Sequence, residues 1–200
     1  MIVAIGEWVL STACRQAQRW RKSGKDLQHI SVNVSGRQLE LENFVDTVAA
    51  ILAETGLDPT VLELEVTETT IMKHTEHVTS VLAALRDMGV TITVDDFGTG
   101  YSSLGYLKQL PIDNLKIDRV FVRDICIDIN DEAIVRAIIA LGHTLQLRTI
   151  AEGVESEEQM NMLRRFSCDD AQGFFFSRPL STENFETFLK AQEVKELQES

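Results

Sequence analysis

An α/β fold with a parallel sheet is predicted by three observations. Short apolar runs recur along the 200 residues, and a polar side chain closes each one. The closing residues Asn33, Glu65, Asp95, Lys116, Glu152 and Gln172 stand 32, 30, 21, 36 and 20 positions apart, and a βα unit needs about thirty residues. Between the runs lie segments with helical hydrophobic spacing, and alternating strand and helix is the pattern of a parallel sheet. Side chains at the C-terminal ends of barrel strands converge on one mouth, where such folds place their chemistry. Carboxylates, amides and a lysine meeting there describe a site rather than a core.

The elements follow in order. A first helix places Ile2, Ile5, Val9 and Ala13 on one face with Trp8 beside them. This start carries Glu7 and no basic leader, which separates it from a secretion signal. Ile30, Ser31 and Val32 form the strand that delivers Asn33. Leu39, Leu41, Phe44, Val45, Val48, Ile51 and Leu52 predict a helix over 38–55, stopped by Gly56. Leu62-Glu63-Leu64 leads to Glu65. Val78, Val81, Leu82, Leu85 and Met88 repeat the helical pattern up to Gly89. Residues 91–94 lead to Asp95 and Asp96, and Asn114-Leu115 leads to Lys116. A helix over 132–147 carries Ile134, Val135, Ile138, Ile139, Leu141 and Leu145. Residues 148–151 lead to Glu152. Ser156, with Glu157 and Glu158 in the following turn, opens another helix. Asp170-Ala171 leads to Gln172, and Phe174-Phe175-Phe176 reads as a strand buried on both faces. Residues 190–200 read as a polar helix end. The organisation is one domain over 1–190 with a polar tail over 191–200.

Composition narrows the function classes. A hydrophobic content of 44% supports one full core. The net charge of −12 argues against a nucleic-acid polymer as partner; a small phosphate ligand held through metal ions remains open. Cys14, Cys126 and Cys168 are scattered and odd in number, so free thiols in a reducing cytoplasm are expected. No apolar stretch reaches the length of a membrane span, so no membrane contact is expected from this segment. His29, His74, His77 and His143 show no pairing that would make a zinc site, and all read as surface or packing residues.

The chemistry follows from charge. An acidic cluster alone repels a phosphate, so the site requires cations. Oxygen ligands without histidine or cysteine select hard ions such as magnesium, manganese or calcium. Asp95 and Asp96 are adjacent, and in a continuing strand they point to opposite faces. Both serve the mouth only if the strand ends there, and Gly98 and Gly100 supply the turn. Adjacent aspartates there would bridge two ions about 4 Å apart, as in phosphoester hydrolysis. Lys116 would neutralise developing charge or orient the attacking water. Asp-Phe-Gly at 96–98 also occurs in kinases, but no lysine strand, glycine-rich loop or His-Arg-Asp segment accompanies it.

The run Val94-Asp95-Asp96-Phe97-Gly98-Thr99-Gly100-Tyr101-Ser102-Ser103-Leu104 resembles the signature of the EAL domain family. So do Leu115-Lys116-Ile117-Asp118, Ile150-Ala151-Glu152-Gly153-Val154-Glu155 and Gln172-Gly173-Phe174-Phe175-Phe176. The resemblance runs from Ile2 to about Leu189 and implies a TIM-type (β/α) barrel. It implies a bacterial phosphodiesterase that linearises cyclic di-GMP with two Mg2+ or Mn2+ ions. It further implies metal ligation by Asn33, Glu65, Asp95, Asp96 and Glu152. Lys116 and Glu152 would hold or activate the water, with Asp118 supporting Lys116. Glu68 would anchor the loop after Asp95-Asp96, Gln172 would sit beside the water or substrate, and Glu155 would contact substrate or shape the helix approach.

One departure stands against these matches. The family's name-giving Glu-Ala-Leu motif, whose glutamate is a metal ligand, has no counterpart in this sequence. A complete barrel of eight strands takes about 250 residues, and six strands are readable here. The expectation is therefore a barrel incomplete at its N-terminal side, with impaired activity and association through bare sheet edges as a homo-oligomer. The alternative is a non-catalytic cyclic di-GMP receptor or protein-interaction module on the same fold.

Overall fold

Six strands form a single sheet: β1 (Ile30–Asn33), β2 (Leu62–Thr67), β3 (Thr91–Phe97), β4 (Asn114–Ile117), β5 (Arg148–Glu152) and β6 (Asp170–Gln172). Every neighbouring pair is parallel, and the spatial order is the sequence order. Each strand contains its predicted closing residue at or near its C-terminal end. The sheet curls into an open barrel. The computed structural model describes residues 1–72, 76–100 and 104–199, without the side chains of 104, 106 and 192–199. His74 and the motif residues Tyr101, Ser102 and Ser103 lie outside the described residues.

Parallel sheets covered on both faces usually read as continuous apolar runs, but these strands alternate. Registered residues on neighbouring strands share a face. Val32 pairs with Leu64, Val94 with Leu115, and Ile117 with Ala151. This apolar face lies under the helices. On the other face Asn33 pairs with Glu65, Glu65 with Thr93, and Thr93 with Asn114. The concave side of the sheet is therefore polar, and the core lies between sheet and helices. Leu62, Leu64, Ile92, Val94 and Leu115 are fully buried there.

Away from the barrel mouth, the elements depart from the sequence reading in four places. The segment over 38–55 is not one helix but two, α2 (Gly36–Leu39) and α3 (Phe44–Thr55), separated by a turn at 40–43. The turn lets Leu39 and Phe44, five positions apart, both reach the core. In α1 (Ile2–Lys22) the buried face is Leu10, Cys14 and Ala17, not the stripe through Ile2, Ile5 and Val9. That stripe and Trp8 are 38–67% exposed, because helix periodicity reports an apolar face without reporting what covers it. The helix expected over 132–147 is α8 (Ile129–Thr144): Asp128 accepts from the Asn130 amide and starts it earlier. It ends before Gln146, which takes a positive φ of 61°.

The fourth departure is the phenylalanine run, which is a turn and not a doubly buried strand. Phe174, Phe175 and Phe176 are 50%, 42% and 46% exposed. A Cβ at Gly173 would lie 2.1 Å from the Val154 carbonyl oxygen, so only glycine fits this crossing. The Phe175 amide then donates to the Val154 carbonyl, and the chain leaves the sheet.

Other boundaries agree with the sequence. α5 (Glu76–Asp87) stops before Gly89. Ser156 and Gln159 form a reciprocal cap on α9 (Glu157–Arg165). Short helices α4 (Glu68–Met72) and α7 (Arg119–Arg123) follow β2 and β4 within one residue, and α6 (Leu104–Leu107) lies between β3 and β4. The tail is the end of α10 (Thr182–Glu199), tied to α1 where the Trp20 indole donates to Glu186 at 3.0 Å. No described helix is long and apolar enough to cross a membrane.

Candidate active site

Adjacent residues on a regular strand face opposite sides, yet Asp95 and Asp96 both reach the mouth. The strand does not end there; it bulges. Val94 registers with Leu115 and Phe97 with Ile117, so two residues of β3 stand opposite one residue of β4, Lys116. Asp96 carries the distortion with a φ of 55°, a left-handed conformation that aspartate tolerates better than most residues. The Asp95 carboxylate accepts the Asp96 amide at 3.0 Å and fixes the bulge.

Lys116 is the hub. Its ammonium lies 3.0 Å from Glu65, 3.4 Å from Asp95 and 2.5 Å from Glu152, with its side chain 4% exposed. Burial disfavours the ammonium, but hydrogen bonds and charge from Glu152 and Glu65 outweigh it and raise its pKa, so Lys116 is a fixed cation. Burial raises the Glu65 carboxyl above its ordinary value, with Lys116 opposing. Partial burial and the charges of Asp95, Asp118 and Glu152 raise the Asp96 carboxyl. Glu65, Asp95, Asp96 and Glu152 set four carboxyl groups around one lysine.

That imbalance fits a hard cation. Asp95, Asp96 and Glu152 each offer an oxygen, and the three oxygens lie within 4.8 Å of one another. Oxygen donors of this kind suit magnesium, manganese or calcium. Asn33 and Glu65 stand beside this trio rather than within it. The Asn33 amide donates to Glu65 at 3.2 Å, and Glu65 faces Lys116.

The remaining predicted residues ring the mouth. Glu68 opens α4, is buried, and accepts the amides of Gly98 at 2.9 Å and Gly100 at 3.3 Å. Gly98 has a φ of 100°, and a Cβ on Gly100 would lie 2.6 Å from Glu68 Oε1, so both glycines are needed to wrap the loop around the carboxylate. Asp118 caps α7 by accepting the Val120 amide at 2.8 Å, and it lies close enough to Asp96 to influence its charge. Glu155 is exposed in a cleft with Asp118, Arg119, Arg123 and Gly153, and its amide donates to Gln159. Gln172 is exposed at the end of β6, level with Glu152.

Three residues escaped the sequence reading. Glu63, Thr93 and Asn114 form a buried hydrogen-bonded row beneath the mouth. Each stands two positions before Glu65, Asp95 and Lys116 respectively, so period-two alternation would have placed them on the same face.

The EAL domain family model matches residues 1–179. The bifunctional diguanylate cyclase/cyclic di-GMP phosphodiesterase MucR of Pseudomonas aeruginosa is 49% identical over 183 residues, covering 92% of this chain and 27% of MucR. The cyclic di-GMP phosphodiesterase NbdA of the same organism is 42% identical over 191 residues, covering 96% of this chain and 24% of NbdA. The chain thus spans about a quarter of the length of these relatives. The structure of the MucR phosphodiesterase in complex with c-di-GMP superposes with a TM-score of 0.88 at 48% identity, covering 92% of this chain and 74% of that one. A manganese and cyclic di-GMP complex of Klebsiella pneumoniae BlrP1 gives 0.81 at 30% identity, covering 90% and 45%.

Proposed function

This chain belongs to the EAL domain family, and from that premise we propose that it hydrolyses cyclic di-GMP to the linear dinucleotide with divalent metal ions at the barrel mouth. The observation that carries the reading is the oxygen trio of Asp95, Asp96 and Glu152 beside the buried Lys116. Four carboxylates around one lysine repel a phosphodiester unless cations intervene.

Asp95, Asp96 and Glu152 would hold a Mg2+ or Mn2+ ion, and Asn33 and Glu65 complete the proposed ligand set of a two-metal site. Bound there, the metal supplies Lewis acidity toward a phosphoryl oxygen and acidifies water. Lys116 stays protonated and offers a fixed positive charge to the charge developing at phosphorus. Glu152, already within hydrogen-bonding reach of Lys116, orients the attacking water and accepts its proton. Glu68 holds the 98–100 loop, and with it the Asp96 end of the bulge. Asp118, by capping α7 next to β4, keeps the strand end that carries Lys116 in place. Gln172 and Glu155, at the rim, face the nucleotide. These 200 residues contain no Glu-Ala-Leu glutamate, and the described sheet has six strands. Catalytic competence of this length of chain alone is therefore proposed to be impaired.

The experiment is Mn2+-dependent hydrolysis of cyclic di-GMP, followed by separation of the linear product, in the wild type and Asp95→Asn. The substitution keeps the shape but removes a charge from the trio, so turnover should fall below detection. Unchanged turnover would remove Asp95 from the machinery. Nucleotide binding that neither Mn2+ removal nor Asp95→Asn weakens, with no turnover in either chain, would assign the chain to the non-catalytic alternative.

A further inference from the structure

We infer that Glu63, acting through Thr93 and Asn114, is a positioning residue for the metal-binding strand ends. This rests on the metal site proposed above and deepens it. The Thr93 hydroxyl donates to Glu63 Oε1 at 2.8 Å, and the Asn114 amide donates to the same hydroxyl oxygen at 3.0 Å. The row thus crosses β2, β3 and β4 in one hydrogen-bonded line. Its members are 4%, 0% and 6% exposed.

Two features set this row apart from ordinary barrel filling. First, each member is two residues upstream of a member of the mouth: Glu63 of Glu65, Thr93 of Asp95, Asn114 of Lys116. The row is a lower tier on the same concave face, tied across the three strands whose ends carry the hub. Second, Glu63 is a buried carboxylate with no ion pair among the described residues within 4 Å; its shown partner is a hydroxyl. Arg148, in register with Asn114, feels Glu63 only from beyond ion-pair distance; a buried carboxyl held by a hydroxyl is costly, and an apolar residue would fill the space at lower cost. The bulge supplies a reason. β2 holds β3 in regular register as far as Thr67–Asp95, but toward β4 the register breaks between Val94 and Phe97, where two residues oppose Lys116, so on that side backbone pairing does not set the height of Asp95 and Asp96. Side-chain bonds directly below the bulge replace that lost register.

The test uses the full 200-residue chain with Mn2+ itself as the probe, titrated by electron paramagnetic resonance, and with thermal melting as the check on folding. Loss of a group that orients ligands from behind costs roughly 10- to 100-fold in metal affinity or activity. Glu63→Ala and Thr93→Val should each weaken Mn2+ binding by about that range. Glu63→Gln, whose carbonyl oxygen still accepts from Thr93, should restore it. A role confined to stability would lower melting in all variants without separating Gln from Ala in metal affinity. In hydrolysis, kcat should fall with KM unchanged. Should Glu63→Ala fail to fold, Thr93→Val, which is isosteric, decides the matter. Wild-type Mn2+ affinity in folded Thr93→Val would overturn the inference and leave the proposed function standing. A wild-type chain that binds no Mn2+ would overturn the metal site itself and this inference with it.

Discussion

Replacing Lys116 by alanine removes the only cation in contact with Glu65, Asp95 and Glu152 among the described residues. The Glu65 and Asp95 side chains are 7% and 12% exposed, so water does little to replace it. Removing one partner of a buried ion pair costs roughly 3–5 kcal/mol. Glu152, at 21% exposure, retains some solvent, which favours the lower end, about 3 kcal/mol. For a chain of this size that shift lowers the melting temperature by about 6–12 °C.

The pH dependence has a definite sign. Burial already raises the Glu65 carboxyl, and Lys116 opposes that rise; without the lysine the folded-state pKa climbs further. A group whose folded pKa lies above its unfolded value contributes stability below the unfolded pKa and loses it as pH rises through the folded one. The gap between Lys116→Ala and wild type should therefore be small near about pH 5 and widen toward about pH 8. Thermal melts across that range by circular dichroism read it directly. Saturating Mn2+ should narrow the gap, because a bound cation takes over part of the neutralisation. In hydrolysis, kcat should fall far more than affinity changes. Equal melting temperatures with parallel pH profiles would show that Lys116 does not neutralise the cluster.

Two further outcomes follow from features away from the mouth. Cys14 is fully buried and its thiol is pushed up to about 11, whereas Cys126 is exposed. Alkylation at about pH 8, read by mass spectrometry, should modify Cys126 in the native protein and Cys14 only after unfolding; equal rates would contradict the packing of α1 on the sheet. Among the described residues β1 pairs only with β2, and β6 only with β5, leaving bare edges of a kind that proteins usually cover. Light scattering on the 200-residue chain should show self-association or a broad melt, and a cooperatively melting monomer would show that the open barrel tolerates both edges.

How much of this was legible in the sequence depended on what each signal reports. Leu62-Glu63-Leu64-Glu65 already spells the alternation that sends leucines toward the helices and carboxylates into the barrel, and strand ends and helix stops at glycine are equally local. Ile2, Ile5 and Val9 misled because an apolar stripe needs a covering surface, and the chain's own fold supplies it to Leu10, Cys14 and Ala17 instead. Phe174–Phe176 misled because strand propensity ignores the crossing at Gly173, where backbone meets backbone. Glu63, Thr93 and Asn114 were missed because attention to strand ends passes over the residues one pleat below them.

The Asp95-Asp96 pair shows why a sequence rule can fail where the chemistry is placed. Period-two geometry would turn one of these carboxylates into the layer of Val94, Leu115 and Ile117, all fully buried. An unpaired carboxylate there would cost several kcal/mol, or stay neutral. A left-handed residue costs about 1–2 kcal/mol, and aspartate lies at the favourable end of that range. The bulge is the cheaper solution by a clear margin, and the hydrogen bond from the Asp96 amide to Asp95 offsets part of its cost. It also places two acidic side chains opposite a single lysine, the arrangement that leaves negative charge in excess at the mouth. The backbone irregularity and the demand for a cation therefore have one origin, two aspartates in succession on a strand whose outer face is closed to charge.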